Sequence, residues 1–261
     1  MYSLQNKIAL IGGASQGLGA ACAKALAAAG ATVIVYARTE EKLKKVVKSL
    51  PTPLQQEHSY LIIDTTNLMV SKKAIQQLIE KIKTVHILVN NTGGPAAGLL
   101  YETSVADLSA SFESHLLHAH QLVQLLLPGM REAKFGRIIN LLSVSIKEPI
   151  DDLGISNTIR AGMANWAKTL SRELGPWGIT VNNVLPGFTN TERLNYLFSN
   201  RAEKAGLTIE EITKGVENSI PVKRLGKPEE LASAVCFLCS NEANFINGIN
   251  LPVDGGQMRS L

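Results

Sequence analysis

Cysteine is scarce in this chain. Its three cysteines are Cys22, Cys236 and Cys239. An odd count in no framework spacing excludes a disulfide-stapled fold and predicts a reducing, cytoplasmic setting. Cys236 and Cys239 form a C-x-x-C inside an apolar helical pattern with no further ligand residues nearby. They read as packed thiols, and no metal is expected. Long apolar runs are missing too. None reaches the ~20 residues of a membrane-spanning helix, and the first residues lack the layout of a signal peptide. Charge of one sign is not in excess, the net value being +4. Basic residues sit beside acids, as in Glu40-Glu41-Lys42-Leu43-Lys44-Lys45, which reads as a solvated helix face and argues against nucleic acid as a partner. Disorder is excluded by 45% hydrophobic and 18% charged residues.

What is present is a repeating rhythm. Short β-branched or leucine-rich runs fall at Lys7–Ile11, Thr32–Tyr36, Tyr60–Ile63, His86–Asn90, Arg137–Leu142, Thr180–Leu185 and Ile249–Val253. Unbroken apolar runs of this length predict parallel strands buried on both faces. Helical patterns lie between them at Gly17–Ala29, Glu40–Leu50, Met69–Ile82, Ala106–Met130, Ser156–Leu174 and Pro228–Ser240. Gly30 and Gly175 stand where helix C-terminal caps belong. Repeated strand–helix–strand units predict an α/β fold, a doubly wound parallel sheet of about seven strands in a single domain spanning 1–261. The segment 188–226 breaks the rhythm. It is too long for a passive connection and predicts a lid or substrate loop with short helices of its own.

The first strand is followed by Gly12-Gly13-Ala14-Ser15-Gln16-Gly17-Leu18-Gly19, which opens the first helix. Glycines there let the backbone turn tightly and approach a pyrophosphate, while the helix start offers free N–H groups. The second strand ends Tyr36-Ala37-Arg38. An acid in place of Ala37 would bind the ribose hydroxyls of NAD, whereas Arg38 suits a 2′-phosphate. The expected cofactor is therefore NADP(H) rather than NAD(H).

These residues and several later landmarks resemble the short-chain dehydrogenase/reductase family over essentially all 261 residues. The glycine segment is similar to that family's T-G-x-x-x-G-x-G, with Gly12 for threonine. Asp64 matches its adenine-contacting aspartate. Asn90-Asn91-Thr92-Gly93 resembles N-N-A-G, Pro186-Gly187 with Thr191 resembles P-G-x-x-x-T, and Asp254-Gly255-Gly256 resembles D-G-G. The resemblance implies a Rossmann-type fold. It also implies cofactor contacts from Gly13, Ser15, Gln16, Gly17, Leu18, Gly19, Asp64, Asn91, Gly93, Pro186, Gly187 and Thr191, beside Arg38.

The departures gather at the catalytic centre. Ser143 stands where the family places its catalytic serine. Ser156 replaces the tyrosine thirteen residues on, and Arg160 replaces the lysine one turn later, where it would still hold the nicotinamide ribose. His115 stands where a helix asparagine is usual. Arg160 offers a fixed charge but relays no proton, and Ser156 is a far weaker acid than a phenol. His115, Lys147 and water are the alternative proton sources. Tyr101 and Tyr196 lie off the catalytic helix.

Two functions follow. One is a cytoplasmic oxidoreductase that reduces a ketone or aldehyde, with resemblance to 3-oxoacyl carrier-protein reductases pointing to a 3-oxoacyl substrate. The other is a non-catalytic NADP(H)-binding sensor or assembly protein. The resemblance also implies a homotetramer or dimer, joined through Ala106–Met130 and Ser156–Leu174.

Overall fold

The computed structural model describes residues 2–260. The strands are β1 (Ile8–Gly12), β2 (Thr32–Ala37), β3 (Ser59–Ile62), β4 (Ile87–Asn90), β5 (Gly136–Leu141), β6 (Ile179–Pro186) and β7 (Asn250–Val253). Every strand end lies within one residue of its expected place. All pairings are parallel, in the order β3-β2-β1-β4-β5-β6-β7. Beside β1 the chain changes direction across the sheet, from β2 on one side to β4 on the other. Doubly wound sheets bind ligands in the crevice above such a switch point.

The helices are α1 (Gly17–Ala28), α2 (Glu40–Ser49), α3 (Leu68–Ile82), α4 (Val105–Phe112), α5 (His118–Glu132), α6 (Gly154–Leu174), α7 (Glu192–Ala205), α8 (Ile209–Ser219) and α9 (Pro228–Cys239). On one side of the sheet, Cys22 and Leu26 of α1, Leu43 of α2 and Val235 and Leu238 of α9 pack over Ile11, Val33 and Val89. On the other, Ile75 of α3, Leu122 and Leu126 of α5 and Leu170 of α6 pack over Leu10, Ile34 and Leu88. All three thiols are free and lie in the first layer. Burial pushes Cys22 up to about 12, so it stays an unreactive thiol. No helix of the described residues is long and apolar enough to cross a membrane.

Two local features differ from the sequence expectation. The long helix at Ala106–Met130 is not uniform. A π-helical turn, Glu113–Leu117, joins α4 to α5, with His115 at its centre. Gly175 is not a left-handed cap, since its φ is −50°. A 3-10 turn follows, and Gly178 takes the left-handed conformation at φ 71°. A Cβ there would lie 2.5 Å from the Lys134 carbonyl oxygen, so glycine is required at Gly178. The segment 188–226 carries α7 and α8, the latter started by a capping box between Thr208 and Glu211.

The sheet also contains a ladder of carboxamides. Asn90 Nδ2 donates to Asn140 Oδ1 (2.8 Å), Asn140 Nδ2 to Asn183 Oδ1 (2.8 Å) and Asn183 Nδ2 to Asn250 Oδ1 (2.7 Å). The four residues are register partners on β4, β5, β6 and β7.

Candidate active site

The glycine-rich turn leaves β1 and enters α1 with Gly13 and Gly17 at φ 56° and 58°, a conformation that L side chains resist. A Cβ on Gly19 would lie 2.5 Å from the Gly13 carbonyl oxygen and 2.9 Å from Ala14 Cα. The turn therefore exists only without side chains there. Asn91 supports it from β4, its Nδ2 donating to the carbonyls of Gly12 (3.2 Å) and Gly13 (3.3 Å). Ser15, Gln16 and Leu18 line the opening of α1. Gln16 is the residue before the helix, and its side chain accepts from Lys42. Open space surrounds Gly93 on the facing loop. Arg38 is exposed at the end of β2. Asp64 Oδ1 accepts the Thr66 N–H (3.0 Å) and hydroxyl (2.8 Å). The Thr66 N–H above all, with Arg38 as a lesser cause, holds the Asp64 carboxyl below its ordinary value against the effect of burial. Arg38 thus stands close enough for its charge to act on Asp64.

Gly12 has a local cause that the motif alone does not show. A Cβ at this position would sit 2.4 Å from Tyr36 Oη and 2.7 Å from the Asn91 carbonyl oxygen. The phenol of Tyr36 fills the space that a threonine would take. Its hydroxyl is fully buried and has no hydrogen-bond partner, and burial keeps it protonated, with its pKa pushed beyond the usual phenol range.

The other wall comes from β6, α7 and the C-terminal residues. A Cβ on Gly187 would fall 2.7 Å from Asp254 Cα, so Pro186-Gly187 packs closely on the Asp254-Gly255-Gly256 turn. Thr191 caps α7, its hydroxyl oxygen accepting the Leu194 N–H at 3.3 Å. Its methyl group would lie 3.7 Å from a Cβ on Gly17, which brings the start of α7 over the glycine-rich turn.

Ser143 lies two residues past β5, and its Oγ accepts the Ser145 N–H at 3.0 Å. Ser156 and Arg160 share one face of α6, as their spacing requires. Arg160 Nε donates to Ser156 Oγ at 3.2 Å. Its Nη1 donates to the carbonyls of Leu141 (2.8 Å) and Leu142 (2.9 Å). Burial, then the Arg193 charge, brings Arg160 down to about 10, so it remains a cation at neutral pH. Each serine oxygen thus already accepts an N–H. A hydroxyl that accepts an N–H still has its own proton to donate to an acceptor within reach.

His115 is buried in the π-turn. Its Nδ1 lies 2.9 Å from the Ser111 carbonyl and 3.1 Å from Ser114 Oγ. Its Nε2 makes no hydrogen bond. Burial first, then the Arg160 charge, lowers its pKa to about 4 against the pull of the Ser111 and Gly93 carbonyls. At neutral pH it is an uncharged imidazole, without the readily released proton of an imidazolium. A small cavity of about 10 Å³ lies between His115, His118, Tyr36, Asn90 and Arg160, just below the site. Lys147 is exposed beyond Ser143, Tyr101 is exposed before α4, and Tyr196 is exposed on α7.

Sequence reasoning missed Tyr36 and Arg193. The signal for Tyr36 was the glycine at position 12. Arg193 follows two residues after Thr191 and reaches back across the cleft mouth, where Nη2 donates to the Pro95 carbonyl at 2.7 Å.

A parallel sheet with a side-chain-free turn at its switch point, facing a serine–arginine helix, defines a dinucleotide-binding oxidoreductase fold. The family model described as Enoyl-(Acyl carrier protein) reductase matches residues 13–258. The 3-oxoacyl-[acyl-carrier-protein] reductase FabG of Aquifex aeolicus is 31% identical over 97% of this chain and 98% of its own length. The NADPH-dependent reductase BacG of Bacillus subtilis is 28% identical, covering 99% of this chain and 100% of the relative. The crystal structure of L-sorbose reductase from Gluconobacter frateurii, complexed with NADPH and L-sorbose, superposes with a TM-score of 0.93 at 28% identity, covering 100% of this chain and 99% of that one. The chain belongs to the short-chain dehydrogenase/reductase family, and its fold is the Rossmann-type sheet expected from the sequence.

Proposed function

We propose that this protein is an NADPH-dependent reductase of ketones or aldehydes whose proton-transfer site is rebuilt around Ser143, Ser156 and Arg160. The observation that carries the reading is the pair of hydroxyls whose oxygens are already engaged by N–H donors, beside an intact nucleotide cradle. NADPH, which the solved L-sorbose reductase holds, supplies hydride when bound. The chain's own residues do the rest. Gly13, Ser15, Gln16, Gly17, Leu18 and Gly19 receive the pyrophosphate, and Arg38 receives the 2′-phosphate, with Asp64 at the adenine. Asn91, Gly93, Pro186, Gly187 and Thr191 frame the nicotinamide end. Arg160 keeps the family lysine's positive charge there and holds the ribose.

Ser143 and Ser156 donate to the carbonyl oxygen, and Arg160 polarises Ser156 and stabilises the charge that develops. Hydroxyls of this kind are weak acids, so solvent supplies the net proton. His115, neutral at pH 7, lines the floor below. Donors aimed at a developing oxyanion contribute on the order of 10²–10³ in rate, and a positioned general acid contributes a similar factor. Loss of the phenol therefore predicts a slow enzyme rather than an inert one. The test is NADPH oxidation over a broad carbonyl panel. Ser143→Ala should lower kcat/KM about 100-fold. Tight NADPH binding with no turnover of any carbonyl would overturn the reading in favour of the non-catalytic binder, which the missing tyrosine and lysine favour.

A homo-oligomer, dimer or tetramer, fits Val105, Phe112 and Leu117, which leave large apolar side chains exposed beside α6. Sizing in solution tests it, and a monomer refutes it. The three unpaired thiols suit a reducing cytoplasm.

A further inference from the structure

Two guanidinium groups, Arg160 and Arg193, flank the cleft, and among the described residues no carboxylate pairs with either. Arg160 lines the start of the loop after β4, sharing a cavity with Asn91 and Thr92. Arg193 closes the other end of that loop. Its Nη2 rests on the Pro95 carbonyl at 2.7 Å and would lie 3.3 Å from a Cβ on Gly94. The two cations thus flank five consecutive residues, and they are near enough for Arg193 to depress the ionisation of Arg160. None of the ion pairs among the described residues involves either of them. The acids around the rim have other partners. Glu148 accepts the N–H groups of Arg259 and Ser260, Asp152 pairs with Lys204 at 3.6 Å, and Glu192 lies 3.8 Å from Lys42. Asp254 accepts the N–H groups of Gly256 and Met258. Two like charges brought together without a counter-charge disfavour each other, and an anion between them relieves both.

We propose that Arg193 and Arg160 form an anion clamp, and that the substrate is a carbonyl compound carrying a carboxylate a few bonds from the carbonyl that is reduced. The inference rests on the reductase reading and specifies its substrate class. Arg160, its Nε and Nη1 committed to Ser156, Leu141 and Leu142, contributes a fixed positive charge from below the cleft, and Arg193 makes the direct contact. Arg193, exposed and held by the Pro95 carbonyl and by the Tyr196 ring 5.6 Å from its guanidinium carbon, swings from that carbonyl to the carboxylate and seats α7 over the substrate. Guanidinium groups suit this task because they match a carboxylate's two oxygens with paired N–H donors. The other anion able to reach Arg193 is the cofactor's pyrophosphate, since Thr191 at the start of the same helix leans over Gly17. The experiment separates the two.

The probes are 2-oxopentanoate and 4-oxopentanoate, each paired with its methyl ester. NADPH oxidation is followed for the native protein and for Arg193→Ala, with NADPH affinity measured separately by fluorescence. At least one free acid should exceed its ester about tenfold or more in kcat/KM, and Arg193→Ala should erase that preference mainly through KM. NADPH affinity should be unchanged in the variant. Equal use of acid and ester by the native protein overturns the clamp and leaves the reductase reading intact. A fall in NADPH affinity with the acid preference retained assigns Arg193 to the pyrophosphate and also overturns it. If no probe is turned over, calorimetric binding of the same acids and esters to the NADP-loaded protein reads the clamp by itself. An acid preference that depends on Arg193 upholds it, and no preference overturns it.

Discussion

The glycine-rich turn and the Ser156–Arg160 face of α6 stand at the same end of the sheet but are built from different material. The turn is main chain. Gly13 and Gly17 hold positive φ, Gly19 has a carbonyl oxygen where its Cβ would go, and Asn91 binds two backbone carbonyls. The Ser156–Arg160 face of α6 is side chain. Ser156 and Arg160 project from an unbroken helix of 21 residues whose backbone is the same whatever they are. A backbone device admits few substitutions, because each added atom meets something that cannot move. A helix face admits many, because only the tips change. On the function proposed above, this difference lets a cofactor motif persist while the residues on the helix face change.

The comparison can be broken at its strongest point first. Gly19→Ala places a methyl group against backbone and should cost about 4 kcal/mol or more, read as roughly a thousandfold loss of NADPH affinity or as failure to fold. Near-native affinity would show that the cradle is not held by backbone contact. Next is the fit of Tyr36 over Gly12. Gly12→Thr should destabilise strongly in the native background but much less beside Tyr36→Ser. The double-mutant cycle should give a coupling of about 2 kcal/mol by urea denaturation. Additive effects would mean that the phenol does not occupy the threonine's space.

The floor of the site gives a pH test. His115 and His118 both titrate at about 4 in the folded protein, depressed mainly by burial, against about 6.5 in the unfolded chain. Between those values the unfolded state binds more protons, so stability is level above about 6.5 and falls as pH drops toward 4. The expected loss by pH 5 is about 2 kcal/mol for each imidazole, about 4 kcal/mol for the two together, and a His118→Leu variant that folds should show a slope about half as steep. A flat profile across this window would place both imidazoles in contact with water. The smallest effect is at the cradle's edge. Arg38→Ala should reduce the preference for NADPH over NADH about tenfold, since one charge-assisted contact to an exposed phosphate is lost. An unaltered ratio would remove Arg38 from 2′-phosphate recognition.

Much of this was legible in the sequence because it depends on local pattern. Buried parallel strands read as unbroken apolar runs, and all seven were placed to within one residue. The cradle was legible because glycine leaves a visible mark wherever a Cβ is forbidden. The π-turn around His115 was not, because its residues are ordinary helix formers and only packing decides where an extra residue enters. Gly175 was misplaced because two glycines three residues apart compete for one cap, and the close approach of Lys134 to Gly178 is tertiary. For the same reason Tyr36 left only an indirect mark in the glycine at position 12, and Arg193 was invisible. Each acts through contacts with segments distant in the chain, Gly12 and Asn91 for one and Pro95 for the other.

The carboxamide ladder has a consequence for how the site is aligned. Strands that are greasy on both sides can slide past one another by a residue or two with little change in what they bury, so oil alone leaves their stagger undecided. Four amides linked hand to hand do not tolerate such sliding. Moving any one strand would strand polar groups in a dry interior. The rungs therefore act as a ruler near the ends of β4, β5 and β6, from which the Asn91, Ser143 and Gly187 segments depart. Whatever chemistry this cleft performs, its parts keep their spacing because asparagines several ångströms beneath them have locked the strands in step.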